Sequence, residues 1–452
     1  MNITYIVGSF PKLSETFVLS QITGLIDMGH EVNIIAAHPS GEEIVHDDVE
    51  EYGLLEKTTY LKGSSLKPGF EISAELLDTL LFADIIHAHF AAWSAEIAMA
   101  LSRMTQIPYI FTAHAYDIFT SPDIERLKSL SQSASRIITI TEFNKNYILE
   151  MIGNAYTDKI EIIRCGIDTE KFFPEKREGC GTVTILTAGR LIEKKGIRFA
   201  IEAFSQLSNK KHLELRIIGS GPMKEKLQSL AEELNLQNKI KLLGDQPQSV
   251  MVNEMKRADI FLLPCVAAEN GDMEGLPVVL LEAQAMELPV VSSIHTGIPE
   301  GIIDGETGFL TPEKDVSAVA EKLEMLINNP SLRLEMGQRG RKHIEERFNA
   351  KNEIEKVEKL MRDLKSKVNI SGIFAERREA VRSMVHGMVS ELVFQKDEKI
   401  KQKDEKIKQK DEKIKQKDEK IKQKDETINS LLNTWSWRIT KPLRIVAEWL
   451  HK

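Results

Sequence analysis

Short apolar runs alternate with helix-spaced apolar positions along most of this chain. Ile3-Thr4-Tyr5-Ile6-Val7 reads as a buried strand. A loop from Gly8 to Ser14 follows. Phe17, Ile22, Leu25 and Ile26 then recur at helical spacing, and Gly29 stands just past the end as a stop. Glu31–Ile35 is the next strand, and further strands are expected near Asp84–His87, Pro108–Phe111 and Arg136–Ile140. A second series begins near residue 182, with strands at Val183–Thr187, Leu213–Ile218, Ile240–Leu243, Asp259–Leu263 and Pro289–Ser292. Such alternation predicts an α/β chain in which parallel sheets are covered by helices. Asp168, Pro174 and a charged stretch break the pattern between Gly166 and Gly181, so one domain is expected over residues 1–170 and a second over 171–345.

The pattern then turns wholly helical. Ile354, Val357, Leu360, Met361, Leu364 and Val368 mark an amphipathic helix over 346–368, expected to pack back on the first domain. Residues 369–394 read as an amphipathic helical linker, with Val381, Met384, Val385, Met388, Val389, Leu392 and Val393 on one side. From Gln395 the unit Gln-Lys-Asp-Glu-Lys-Ile-Lys occurs four times, and Gln423–Asn429 is a degenerate fifth copy. A period of seven suits a coiled coil over 395–429, and self-association through 380–429 would follow. Each heptad has one apolar position, however, occupied by Ile400, Ile407, Ile414, Ile421 or Ile428. A single solvated helix held by i,i+4 Lys–Glu pairs is the alternative, with disorder behind both. The tail at 430–452 places Trp435, Trp437 and Trp449 beside Arg438, Lys441 and Arg444. Trp next to basic residues suits a membrane interface, and a small oligomerisation or docking element reads equally well.

Composition narrows the classes. The chain has 452 residues, 42% of them apolar, which is room for two domains and an extension. No run of about 18 uncharged apolar residues is present, and the Met1–Phe10 start has no basic n-region or signal-peptide core. Cys165, Cys180 and Cys265 are too few and too scattered for a disulfide framework or a zinc site. A cytoplasmic enzyme is expected. The net charge is −8, yet residues 395–429 hold 13 Lys against 10 acidic residues and the tail is also basic. The body ahead of them is therefore more acidic than the whole, which argues against non-specific nucleic-acid binding.

The chemistry-bearing residues sit where strands pass into helices. In open α/β sheets such loops face the ligand cleft. Gly189-Arg190-Leu191-Ile192-Glu193-Lys194-Lys195-Gly196 follows the first strand of the second series. Arg190 can grip phosphate oxygens in a fork, Lys195 is a point charge, and Gly189 allows close backbone approach. Gly219-Ser220-Gly221-Pro222 also lies between a strand and a helix. Its amides can approach a phosphate or nucleotide, though a glycine turn is equally good as plain architecture. In Met273-Glu274-Gly275-Leu276-Pro277-Val278-Val279-Leu280-Leu281-Glu282-Ala283, Glu274 lies in a loop and Glu282 is set among apolar residues. A buried Glu needs a partner, and either ribose hydroxyls or an Arg would serve.

Glu274 through Glu282 resembles the Glu-x7-Glu motif of retaining glycosyltransferases of family 4, which have the GT-B fold. Arg190 and Lys195 match that family's phosphate-binding pair. Thr296-Gly297-Ile298-Pro299-Glu300 and Asp304-Gly305-Glu306-Thr307-Gly308 are similar to its later donor-domain loops. Phe10-Pro11-Lys12-Leu13-Ser14-Glu15-Thr16-Phe17 and Ala113-His114-Ala115-Tyr116-Asp117 resemble a branch that builds bacterial exopolysaccharides such as colanic acid. The resemblance covers about residues 1–365. It implies two Rossmann-like domains facing a cleft, the first on the acceptor side and the second binding a nucleotide-sugar. Within it, Glu274 would hold hydroxyls of the transferred sugar, with Gly275 and Leu276 beside it. Glu282 would hold the ribose, and Arg190 and Lys195 would neutralise the leaving diphosphate, with Gly189, Gly219 and Gly221 in the donor loops. His114 would lie near the reacting sugar, with Ser14, Glu15, Thr16, Tyr116 and Asp117 on the acceptor side. The implied reaction is front-face transfer of a hexose-type sugar with retention, to a lipid-linked saccharide. No Asp-x-Asp metal motif is present in the donor half, so no metal and no cofactor are expected. Ser436-Trp437-Arg438-Ile439-Thr440-Lys441-Pro442-Leu443-Arg444 resembles a short tail on enzymes of bacterial surface-polysaccharide assembly. It implies peripheral attachment to the inner membrane or to partner enzymes.

Two other readings stay open on the sequence. The heptads suit a scaffold that organises polysaccharide-assembly enzymes. The same two-domain fold also serves phosphorylases and sugar-nucleotide epimerases.

Overall fold

A computed structural model describes residues 1–42, 44–61, 82–120, 122–175 and 181–367. The expected linker at 369–394, the heptad segment at 395–429 and the tail at 430–452 lie outside them, as do Cys180 and Val368. The described residues form two parallel sheets within one compact unit. Among them, no helix is long and apolar enough to cross a membrane.

The first sheet has seven strands: β1 (Asn2–Phe10), β2 (Glu31–Pro39), β3 (Thr58–Tyr60), β4 (Ile85–His89), β5 (Tyr109–Ala113), β6 (Arg136–Thr139) and β7 (Ile160–Ile162). Their order is β3-β2-β1-β4-β5-β6-β7. The second has six: β8 (Val183–Ala188), β9 (Leu213–Ile218), β10 (Ile240–Gly244), β11 (Ile260–Leu263), β12 (Val290–Ser293) and β13 (Gly308–Thr311), in the order β10-β9-β8-β11-β12-β13. Each sheet thus reverses its winding direction once, between β1 and β4 and between β8 and β11. Parallel strands covered on both faces are apolar throughout, which is why β4, β5, β11 and β12 are buried along their whole length.

The α/β reading with two doubly wound sheets holds. Three strands, β3, β7 and β13, were not anticipated. Each has only three or four residues and each lies at the edge of its sheet. A segment that short shows no period, and pairing on one side alone creates it. Gly308 begins β13 rather than closing a loop.

Helix Ala350–Ser366 returns the chain to the first sheet. The Asn349 side chain caps it by accepting from the Lys351 and Asn352 amides at 3.0 and 3.4 Å. Val357, Met361 and Leu364 recur at i, i+4 and i+7 and are buried against Ile3, Tyr5, Ile22 and Leu25.

Candidate active site

The switch point of the second sheet brings together the chain leaving β8 and the chain leaving β11. Gly196 makes that approach possible. Its φ is +66°, and a Cβ there would stand 1.8 Å from the Pro264 carbonyl oxygen, so no other residue fits. The Val266 amide donates to the Lys194 carbonyl at 3.0 Å, pinning the two segments together. Lys194 and Lys195 are thereby aimed at the loop that precedes helix Val278–Ala285.

Glu274 lies between them. Lys195 Nζ is 3.1 Å from Glu274 Oε2, and Lys194 Nζ is 3.3 Å from Oε1. Lys194 also donates to Asp272 Oδ1 at 2.9 Å and to the Met273 carbonyl at 3.2 Å. Burial pushes the Glu274 carboxyl up, but the two ammonium groups more than reverse this and hold it at about 2. The Glu274 backbone is held as well. Its amide donates to His295 Nε2 at 3.3 Å, and the opposite ring nitrogen, Nδ1, is 2.6 Å from Glu313. Thr296 Oγ1 donates to the Glu274 carbonyl at 2.5 Å.

Lys194, Asp272, His295 and Glu313 were not singled out in the sequence as site residues. Lys194 stands beside Lys195, and only the fold shows that it is the more buried of the two, with its side chain 4% exposed against 12%. The others carry no motif of their own.

Glu282 is buried on helix Val278–Ala285, and among the described residues no hydrogen bond or ion pair to its carboxylate is found. The Arg salt bridge left open above is therefore not seen there. Burial raises its carboxyl to about 7, against a weaker pull from Lys171. Arg190 is exposed, and its charge acts on Glu15 of the first half. Gly219 and Gly221 pack against the β8 loop: a Cβ at either would stand 2.1 Å from the Gly189 carbonyl oxygen or 2.6 Å from that of Leu191. Close packing thus accounts for both glycines, and a Cβ at Gly189 would meet Lys195 at 3.3 Å.

The first sheet contributes His114, just past β5, with its ring packed on Phe17 and Phe90 at 4.4 and 4.8 Å. Its amide donates to Asp117 at 3.1 Å, and Asp117 also accepts from the Ala91 amide at 2.7 Å. The Asn144 side-chain amide donates to the His114 carbonyl. Ser14 is exposed, Glu15 stands at the N-cap of helix Thr16–Asp27, which Thr16 begins, and Tyr116 is 63% exposed.

The His114 and Glu274 segments abut. A Cβ at Gly275 would lie 3.5 Å from the His114 carbonyl oxygen. Thr120 donates to Asp272 at 3.0 Å. Glu300 accepts from the amides of Glu142 and Phe143 at 3.0 and 2.9 Å, capping a helix of the first half with a carboxylate of the second. His114 and the lysine-bound Glu274 are thus neighbours, although 160 residues separate them.

Residues 168–343 match the family described as glycosyl transferases group 1, and residues 14–171 match glycosyltransferase family 4. The amylovoran biosynthesis glycosyltransferase AmsK of Erwinia amylovora is 34% identical over 364 residues, spanning 71% of this chain and 89% of AmsK. The chain belongs to the family 4 glycosyltransferases. A Salmonella typhimurium protein assigned as the colanic acid biosynthesis glycosyltransferase WcaL is 31% identical, over 72% of this chain and 90% of its own. This glycosyltransferase also shares its fold with solved structures. Sucrose-phosphate synthase from Thermosynechococcus elongatus superposes with a TM-score of 0.66 at 19% identity, covering 81% of this chain and all of its own. Anabaena Alr3699/HepE in complex with UDP and glucose gives 0.67 at 16% identity, covering 80% of this chain and all of its own. The GT-B architecture expected from the motifs is therefore the one observed.

The buried histidines of this glycosyltransferase make it sensitive to acid. Burial lowers His87, His89 and His114, with His89 brought to about 3. Their folded values lie below the unfolded value of about 6.5, so the unfolded chain takes up protons first. Their contribution is complete above pH 6.5 and is lost as the pH falls toward the folded values. Glu282, raised to about 7, and the buried Glu15 and Asp117 carboxyls, also raised, act in the opposite sense, but His30 and His343 are lowered as well and the histidines outnumber them. The urea midpoint is expected to fall from pH 6.5 to 5; a flat or rising midpoint contradicts the buried neutral histidines.

Proposed function

We propose that this glycosyltransferase takes a hexose-type sugar from a nucleotide-sugar and transfers it, with retention and without a metal, to a lipid-linked saccharide of bacterial surface polysaccharide. The observation that carries the reading is the Lys194–Glu274–Lys195 cluster at the switch point of the donor sheet, abutting His114 of the other sheet. A diphosphate leaving group needs cations, and Lys195 with the exposed Arg190 supplies two. Sugar hydroxyls need acceptors, which Glu274 and Glu282 supply. The bond from the anomeric carbon to the phosphate oxygen breaks and the acceptor oxygen bonds on the same face. Its proton passes to the leaving diphosphate, so no protein nucleophile is required.

Relatives named for amylovoran and colanic acid biosynthesis support the polysaccharide assignment. The basic Trp-bearing tail supports work at the cytoplasmic face of the inner membrane, attached to lipid or to partner enzymes, with residues 380–429 joining copies.

A panel of UDP-, GDP- and dTDP-sugars in a thermal-shift assay with EDTA identifies the donor, because a ligand of the folded state raises its stability. One donor is expected to bind and to transfer to a lipid-linked acceptor with its anomeric configuration kept. Inversion, a metal requirement, turnover without acceptor or a need for free phosphate each defeats the reading. Its binding should also tighten between pH 6 and 8, by up to about tenfold per unit below 7, as Glu282 ionises. Glu282→Gln should abolish that dependence.

A further inference from the structure

His114 is not isolated. Its Nε2 is 2.9 Å from His89 Nδ1. The other nitrogen of His89, Nε2, is 3.2 Å from Gln21 Oε1, which also accepts from the Tyr5 hydroxyl at 2.8 Å. The rings of His114 and His89 are stacked at 5.2 Å, as are those of His89 and Tyr5 at 5.6 Å. The four groups form a line from the cleft into the core of the first sheet.

We infer that Gln21 and His89 are positioning residues for transfer, and that they set His114 in one tautomer. A carbonyl oxygen can only accept, so His89 carries its proton on Nε2 and donates it to Gln21. His89 Nδ1 is then a lone pair, and only an Nε2–H of His114 satisfies it. His114 is left with an unprotonated Nδ1. Among the described residues no group pairs with that atom, and it is not one of the buried atoms left without a partner. It is left to accept a hydrogen bond from a hydroxyl of the reacting sugars, beside Phe17 and Phe90, on which the ring packs. Burial keeps both rings neutral, so each has one proton to place.

The inference rests on the sugar-transfer reading for its consequence but not for its first test. Long-range 1H–15N spectra of the full chain labelled in its 11 histidines report each tautomer directly. His114, located by the signals missing from His114→Gln, should show a protonated Nε2 and an unprotonated Nδ1. The reverse pattern, or a charged ring at pH 7.5, overturns the inference whether or not any donor has been found. In the transfer assay His89→Leu should lower kcat by about tenfold or more, since it removes the acceptor that fixes the tautomer. His89→Asn places an amide oxygen where Nδ1 stood and should recover activity to within about threefold, with the His114 pattern restored. Equal loss in both variants, or full activity in His89→Leu, also overturns it.

Discussion

Glu274→Gln is expected to lower kcat/KM for sugar transfer by about 10²- to 10³-fold while the protein stays folded. The carboxylate is buried and held on both sides, by Lys195 at 3.1 Å and Lys194 at 3.3 Å. Those two contacts keep it ionised far below neutral pH, so it is a permanent acceptor at any working pH. Glutamine keeps the shape but replaces one acceptor oxygen by a donor and removes the charge. A sugar hydroxyl that donates to Glu274 then meets an N–H, and the alignment of the anomeric carbon under the acceptor is lost. Lys194 still has Asp272, so the loop keeps its shape. Circular dichroism and the thermal shift given by the nucleotide alone should therefore match the parent. An unchanged rate of transfer would remove Glu274 from the site.

Lys194→Met is expected to act on stability, by about 3 kcal/mol. The Lys194 ammonium is buried between Asp272, Glu274 and the Met273 carbonyl. Methionine fills the volume of the stem but leaves the half-buried Asp272 Oδ1 with Thr120 as its one side-chain donor among the described residues. Lys195 is the contrasting case. It is more exposed and lies at the cleft, so Lys195→Met should cost little stability and most of the transfer rate. Urea midpoints with initial rates on both variants separate the two roles. A Lys194→Met protein as stable as the parent would place this pair with surface ion pairs, which contribute about 0–1 kcal/mol.

Much of the candidate site was legible because its residues combine unusual type with a strand-to-helix position. Glu282 stands out as a carboxylate inside an apolar stretch, and its burial, with no paired cation among the described residues, agrees with that oddity. Gly189, Arg190 and Lys195 stand out through their place after a strand. Lys194 does not, because adjacent lysines in sequence give no sign of which one turns inward. His89 and Gln21 were equally hidden. A histidine in an apolar strand is ordinary, and its significance comes from His114 just past the neighbouring strand, brought alongside by the β4–β5 pairing.

The sequence by itself determined the α/β alternation and supplied residue types chemically able to meet a diphosphate and sugar hydroxyls. These depend on local periodicity and on chemistry that each residue carries alone. Tertiary structure decided the strand order, the edge strands β3, β7 and β13, the pairing of Glu274 with two lysines, and the neighbourhood of His114 and Gly275. Each of those depends on which surfaces, distant along the chain, are buried together. That choice is a property of the packed whole and has no period or motif to mark it.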